Sequence, residues 1–241
     1  MTAKIKIGTC GFGMTKQEYA LRFSATEVQQ TFYQPSMIKT LEKWRTLVPD
    51  GFEFTIKAWQ LITHEAKSPT YRRLKCVLTE EERADTGYFK PTAIVEEAWK
   101  TTKDSAHALN AKTVLFQCPA SFTPTAENIA NLEKFFASVS RDNLKFAWEP
   151  RGDWDPKIIN KICCDFDLMH AVDPFAKQSE TAATPYYRLH GRGGFRYQYE
   201  EEELMELASL LPRNQPAYVF FNNRYMTEDA SVFKELVNLK I

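Results

Sequence analysis

Eight short strand-like runs, some alternating apolar and polar residues and most followed by a helical pattern, constrain this chain more than any other feature. The runs are Lys4–Thr9, Ala25–Gln29, Phe52–Lys57, Thr113–Cys118, Asn143–Glu149, Asp165–His170, Tyr186–His190 and Pro216–Phe221. In Phe52–Lys57 the residues Phe52, Phe54 and Ile56 share one face, and Glu53, Thr55 and Lys57 share the other, as the two-residue period of a strand requires. Between the runs, apolar residues recur at helical spacing. Ser36 caps a predicted helix to Leu47, Thr92–Leu109 forms another, and Thr125 starts a third. Asp155-Pro156 opens a fourth, with proline in its favoured first position. Glu200–Leu210 and a helix capped by Thr227 complete the set. Strand–helix alternation favours a parallel sheet, and eight units favour closure. The expected fold is α/β, a closed parallel (β/α)8 TIM-barrel-like single domain over residues 1–241. A loop and helical excursion near 64–91 is read as a lid.

Helices outside such a barrel demand an apolar outer sheet face, so polar side chains belong at the strand ends. They cluster at the carboxyl ends: Glu27, Lys57, Gln117, Glu149, His190 and Asn222. The stretch Pro185–Arg192 states the pattern most sharply. Arg188 and His190 are two residues apart, hence on one face, just before the glycine turn at Gly191. Lys57 and Glu149 are each opposite in phase to the apolar residues of their strands. A charge in the mouth needs a partner, and Glu27 and Glu149 would supply one to Lys57 and Arg188.

Several chemistries fit those residue types. Glu27 and Glu149 are a candidate acid–base pair for glycoside hydrolysis. Lys57, desolvated beside cations, is a candidate Schiff-base amine. Arg188, Arg192 and Lys57 together suit a phosphate or carboxylate, with Glu149 as general base and His190 as acid. A structural reading stands beside each: Glu149 and Arg151 as one ion pair, His190 as a wall residue, Asn222-Asn223 as a turn cap. The histidines have no metalloprotease spacing. A meeting of His64, Glu149, His170, Asp173 and His190 at the mouth is the weaker alternative, so no metal is assigned and no cofactor is named by the sequence. Phe12, Tyr33, Trp59 and Phe195 can stack a base or a sugar beside a cationic mouth.

Composition narrows the partners. Lys plus Arg and Asp plus Glu are equal at 31 each, so no bulk attraction to nucleic acid or an anionic membrane is expected. No stretch has the length and apolarity of a membrane span, and Met1–Lys6 lacks the apolar segment of a signal peptide. Five cysteines without a Cys-x-x-Cys pair fit reduced thiols in a cytoplasmic protein. The opening Gly8-Thr9-Cys10-Gly11-Phe12-Gly13 is not a dinucleotide fingerprint.

In ordered blocks over nearly its whole length the chain resembles the YecE-like family, a widespread domain of unknown function. The blocks are Ile7–Phe12, Glu27–Tyr33, Phe54–Ala58 with Ile62-Thr63-His64, Leu115–Pro119 with Phe122, Glu149-Pro150-Arg151 with Trp154, Arg188–Arg192 with Tyr197, and Phe221-Asn222-Asn223. The resemblance implies a TIM-barrel-like fold with a polar pocket at the carboxyl face, but no reaction. Carried over block by block, it implies a pocket of Glu27, Lys57, His64, Gln117, Glu149, Arg151, His190, Arg192 and Asn222. Phe12-Gly13-Met14 and Ala147-Trp148 depart from the family pattern, which alters the pocket's shape. The expectation is an enzyme of the hydrolase or lyase class. It would act on a small phosphorylated or sugar-containing substrate. The alternative is a nucleic-acid or nucleotide binding protein using the same mouth.

Overall fold

A computed structural model describes residues 5–240, so Lys4 and the residues before it lie outside the described part. The chain runs β1 Ile5–Thr9, α1 Lys16–Arg22, β2 Ala25–Val28, α2 Gln30–Tyr33, α3 Ile38–Thr46 and β3 Glu53–Lys57. It continues with α4 Gln60–Thr63, a 3-10 turn at Pro69–Arg73, α5 Glu80–Asp85, α6 Ala93–Ala108, β4 Thr113–Gln117 and α7 Ala126–Ser138. The remainder is β5 Lys145–Glu149, α8 Pro156–Asp165, β6 Leu168–Val172, β7 Tyr186–Leu189, α9 Glu201–Ser209, β8 Ala217–Phe221 and α10 Met226–Lys240.

All eight strands lie parallel in the order β1-β8-β7-β6-β5-β4-β3-β2. A single bridge, Cys10 to Glu27, joins the two ends of that order and all but closes the barrel. Gly8 makes this seam possible: a Cβ there would lie 1.9 Å from the Ala25 carbonyl oxygen. The expected architecture is therefore present, with eight parallel strands and helices between most of them. The β6–β7 connection, residues 173–185, carries no helix.

Strand parity sorts two cores. Outward side chains such as Phe54, Ile56, Phe116, Phe146 and Trp148 pack beneath the helices, joined by Trp99, Phe135 and Phe136. Inward ones form a smaller cluster with Leu115, Ala147, Met169, Tyr186, Tyr218 and Phe220. The interior is far more polar than a packed hydrocarbon layer. At its amino end Lys6 pairs with Glu53 at 3.2 Å, and Tyr218 donates to the same carboxylate. Higher up, Thr55 and Tyr186 meet across the barrel at 3.0 Å.

Local signals held at Thr125 and Asp155, whose side chains accept from the backbone N–H groups of Asn128 and Lys157. Three expectations are corrected. Ser36 does not cap α3, whose cap residue is Met37 without a side-chain bond. Thr227 lies inside the first turn of α10 instead of before it. The sixth strand starts at Leu168, because α8 continues through Asp165 and Asp167 turns with φ +46°. The 64–91 excursion does contain short helices. One is α5, where Thr79 and Glu82 form a capping box readable in the sequence.

Candidate active site at the barrel mouth

The site is built on Arg188. Its place on β7 turns the side chain inward one strand pair below the mouth, where it is 0% exposed. A buried guanidinium is tolerated only if its donors are used, and here all five N–H groups have partners. Nε and Nη2 donate to the two Glu27 oxygens at 3.0 and 2.8 Å. Nη1 donates to Glu149 Oε2 and, at 3.5 Å, to Gln117 Oε1; Nη2 also faces Cys10 Sγ at 3.6 Å. Tyr186 adds a hydrogen bond to Glu27 Oε2 at 2.7 Å. Burial disfavours the charge on Glu27, but Arg188 overrides it and holds the carboxyl below its ordinary range.

Glu149, last residue of β5, connects this buried layer to the rim. Its Oε1 accepts from Arg151 Nε at 2.9 Å and lies 3.5 Å from His190 Nε2. Asn222 Nδ2 reaches His190 Nδ1 at 3.2 Å, and Asp173 accepts the His190 backbone N–H at 2.9 Å. Asn222 donating to Nδ1 favours a proton on Nε2, toward Glu149, whereas the Arg151 Nη2 donor, 3.4 Å from the same Nε2, favours a lone pair there. Burial opposes ionisation of Glu149, yet Arg188 first, then His190 and Arg151, hold it well below the usual carboxylate range. Beside this rim lies a cavity of about 200 Å³, lined by Glu149, Arg151, His170, Asp173, Lys177 and His190 among others. A larger cavity of about 270 Å³ lies at the opposite end, between Arg22, Phe52 and Lys234, and touches none of these groups.

Lys57, last residue of β3, lies at the same end of the barrel as Glu149 but is not among the residues lining the rim cavity. It is 5% exposed, and its Nζ lies 3.4 Å above the centre of the Phe32 ring. Among the described residues no hydrogen bond or ion pair reaches that nitrogen. Burial, reinforced by Arg188, brings its pKa down to about 7, although Glu149 and Glu27 pull the other way. Phe32 also packs edge-on against His64, with ring centres 4.9 Å apart. Burial, with Lys57 and Arg151 adding to it, lowers His64 to about 3, so it is neutral.

The structure thus brings Glu27, Lys57, Gln117, Glu149, Arg151, Arg188, His190 and Asn222 to one end of the barrel, but at two depths. Several expected roles change with depth. Arg188 has no N–H left for a ligand and is no anion clamp. Glu27 is 0% exposed and enclosed by Arg188, Tyr186, Cys10 and Gln29, so it cannot serve as an acid or base toward substrate. The acid–base carboxylate pair is replaced by an Arg-bridged one. Glu149, as a stabilised carboxylate, is a weak general base. Lys57 has no carboxylate partner, because Arg188 holds both. Arg192 lies beyond the Gly191 turn (φ +86°), pairs with Glu203 and Glu206 of α9, stacks on Phe175 of the β6–β7 connection, and is not among the residues lining the rim cavity.

His64 packs on Phe32 and bonds Thr63 Oγ1 at 2.8 Å instead of facing the cavity. Tyr33 lies under Arg73, 3.5 Å from its ring centre. Of the other aromatics, Phe12 belongs to the layer beneath the helices, against Tyr19 and Trp44. Among the described residues no three His, Cys, Asp or Glu side chains converge on a point suited to a metal ion. Missed by sequence reasoning were Tyr186 and Cys10, while Asp173, named there only as a candidate metal ligand, instead accepts the His190 backbone N–H. The first two share the inward parity of Arg188 and Glu27, which was a usable signal.

Fold and site together define a TIM-barrel protein with a charged pocket at the carboxyl ends of its strands. Within that class, the chain belongs to the family described as "Protein of unknown function DUF72", matched over residues 15–240. It is 20% identical over 256 residues to UPF0759 protein YunF of Bacillus subtilis, covering 92% of this chain and 85% of that one. A DUF72 family protein of Enterococcus faecalis (EF0366) superposes with TM-score 0.74 at 19% identity, over 97% of this chain and 95% of the other. One from Thermotoga maritima (TM1631) gives 0.68 at 21% identity, over 98% and 99%. More distant barrels share the fold alone. D-psicose 3-epimerase superposes at TM-score 0.55 and 10% identity, over 99% of this chain and 96% of that one. Endonuclease IV of Thermus thermophilus does so at 0.54 and 12%, over 99% and 100%.

Proposed function

We propose that this chain is an enzyme of the hydrolase or lyase class, acting on a small phosphorylated or sugar-containing substrate by acid–base chemistry at the barrel mouth. The observation that carries this reading is Lys57: a buried amine without a polar partner, beside a charge network otherwise fully paired. An amine titrating near neutrality is suited to give and take a proton at working pH. In this scheme Lys57 moves the proton, and Arg151, half-exposed, takes the anionic group. His190, held by Asn222 and Asp173, supplies a second proton donor, and Glu149 orients both Arg151 and His190. The whole chain acts as one domain in the cytoplasm, and the YecE-like name describes the same family. A panel of phosphorylated and glycosidic substrates tests the scheme. Turnover is expected with the purified chain and is lost in Lys57→Met and reduced in His190→Asn. No turnover on any class, or turnover indifferent to both changes, would reject it.

The second reading is nucleic-acid or nucleotide binding. It is favoured by the Arg73–Tyr33 stack near the mouth, by Phe195 standing 65% exposed, and by the fold shared with endonuclease IV. Fluorescence anisotropy with single-stranded oligonucleotides over a salt series decides it, since phosphate contacts weaken steeply with salt. No binding at low salt would remove it.

A further inference from the structure

We infer that Lys57 is a nucleophile, whose amine forms an imine with the carbonyl carbon of a small phosphorylated or sugar-type aldehyde or ketone held at the mouth. The inference rests on the reading of the mouth as the substrate site and narrows its substrate class to carbonyl compounds.

The argument is one of elimination by geometry. A buried lysine that only stabilises a barrel finds a carboxylate, as Lys6 finds Glu53 at 3.2 Å. Both carboxylates near Lys57 are occupied by Arg188, which uses all its donors on them and on Gln117 and Cys10. What remains for Lys57 is the face of Phe32, which stabilises an ammonium by a cation–π contact but offers it no lone pair or carboxylate and cannot take its proton. Every charged group acting on the amine is accounted for. Arg188 and Arg151 disfavour its ammonium form, Glu149 and Glu27 favour it, and the neutral His64 packs edge-on against the Phe32 ring. Burial decides the balance and leaves a free lone pair on nitrogen near neutral pH.

The step balances without an oxidant or reductant. The nitrogen lone pair forms a C–N bond to the carbonyl carbon while the C=O π pair moves to oxygen. The amine's two protons leave with that oxygen as water, giving C=N. Hydrolysis reverses each bond change. In the imine, the adjacent carbon is acidified and its bonds are weakened, which is the chemistry of a lyase or an isomerase. Arg151 at the rim is placed to hold the phosphate or another anionic end of such a substrate.

The test uses the full chain with glyceraldehyde 3-phosphate or dihydroxyacetone phosphate and cyanoborohydride, which reduces an imine to a stable secondary amine. Peptide mass spectrometry locates the label. Near pH 7 the uncharged share of an amine with this pKa exceeds that of an exposed lysine about a thousandfold. Labelling of Lys57 is therefore expected to exceed that of exposed Lys100 by at least about tenfold after allowance for its burial. The labelling rate should rise through pH about 7. Label spread over exposed lysines with Lys57 untouched overturns the imine. Binding of the same phosphates, followed by NMR and weakened in Arg151→Ala, separates the two readings. Binding without Lys57 labelling rejects the imine and keeps the mouth as the site, whereas neither binding nor labelling rejects both.

Discussion

The two ends of the barrel each bury a lysine on the inward face, and they treat it in opposite ways. At the amino end, Lys6 is 7% exposed and paired with Glu53, whose other oxygen accepts from Tyr218. At the carboxyl end, Lys57 is 5% exposed and has only an aromatic face. Both are nearly sealed from solvent, so exposure alone does not separate them. The difference is what Arg188 does. By taking Glu27 and Glu149 together it neutralises the carboxyl end and leaves Lys57 without a counter-charge. A barrel can thus carry ion pairs that only maintain shape at one end and an unsatisfied amine at the other, and the second is where chemistry is to be sought.

The strongest way to break the contrast is to remove its cause. Arg188→Met leaves two buried carboxylates uncompensated and should cost about 3–5 kcal/mol, as breaking buried ion pairs generally does. The urea midpoint should fall sharply, or the chain should lose its cooperative transition. The next experiment exchanges the lysines one at a time, and the signs should differ. Lys6→Met strips Glu53 of its cation and should destabilise by about 1–2 kcal/mol. Lys57→Met removes a desolvated amine that only the Phe32 ring compensates and should stabilise by about 1–3 kcal/mol at neutral pH. Equal signs in chemical denaturation would dissolve the comparison.

A pH series sharpens it further. The folded pKa of Lys57, about 7, lies below its unfolded value of about 10.4, so the unfolded chain binds more protons between those values. Stability should rise with pH across that window in the wild type, and that contribution should vanish in Lys57→Met. Glu27 and Glu149, whose folded values are also depressed, give a slope of the same sign, but in the acid range. Their contribution is complete above the unfolded carboxyl value of about 4.3 and is lost as pH falls through the folded values. The acid limb should therefore survive in both lysine variants. The smallest effect belongs to Arg192→Ala. Its pairs with Glu203 and Glu206 are solvent-screened, so melting should move by no more than about 1 kcal/mol equivalent.

Most of the barrel was legible because strand parity is a local signal. Phe54 and Ile56 against Thr55 and Lys57, or Trp148 against Glu149, state which side faces the helices. Parity also placed Arg188 and His190 on one face. It says nothing about depth by itself, and depth decided their roles. Two residues along a strand span roughly 6.5–7 Å, enough to carry Arg188 from the rim into a sealed layer. Arg192 failed for a different reason: the positive φ of Gly191 ends the strand, and parity does not extend through a turn. The pairing of Arg188 with Glu27, 161 positions apart, was legible from charge matching at the strand ends, but that Arg188 takes both carboxylates and leaves none to Lys57 was not.

Glu27 also lies at the seam, bridged to Cys10 where β1 meets β2. The residue that draws Arg188 away from Lys57 is thus the residue that fastens the two ends of the strand order. A substitution there removes the carboxylate that holds Arg188 and, with it, the Cys10 Sγ contact across the seam, while the backbone bridge itself does not use that side chain. New specificities would have to arise through Arg151, His190 and Asn222, which sit beyond the strands and can vary without disturbing the clasp.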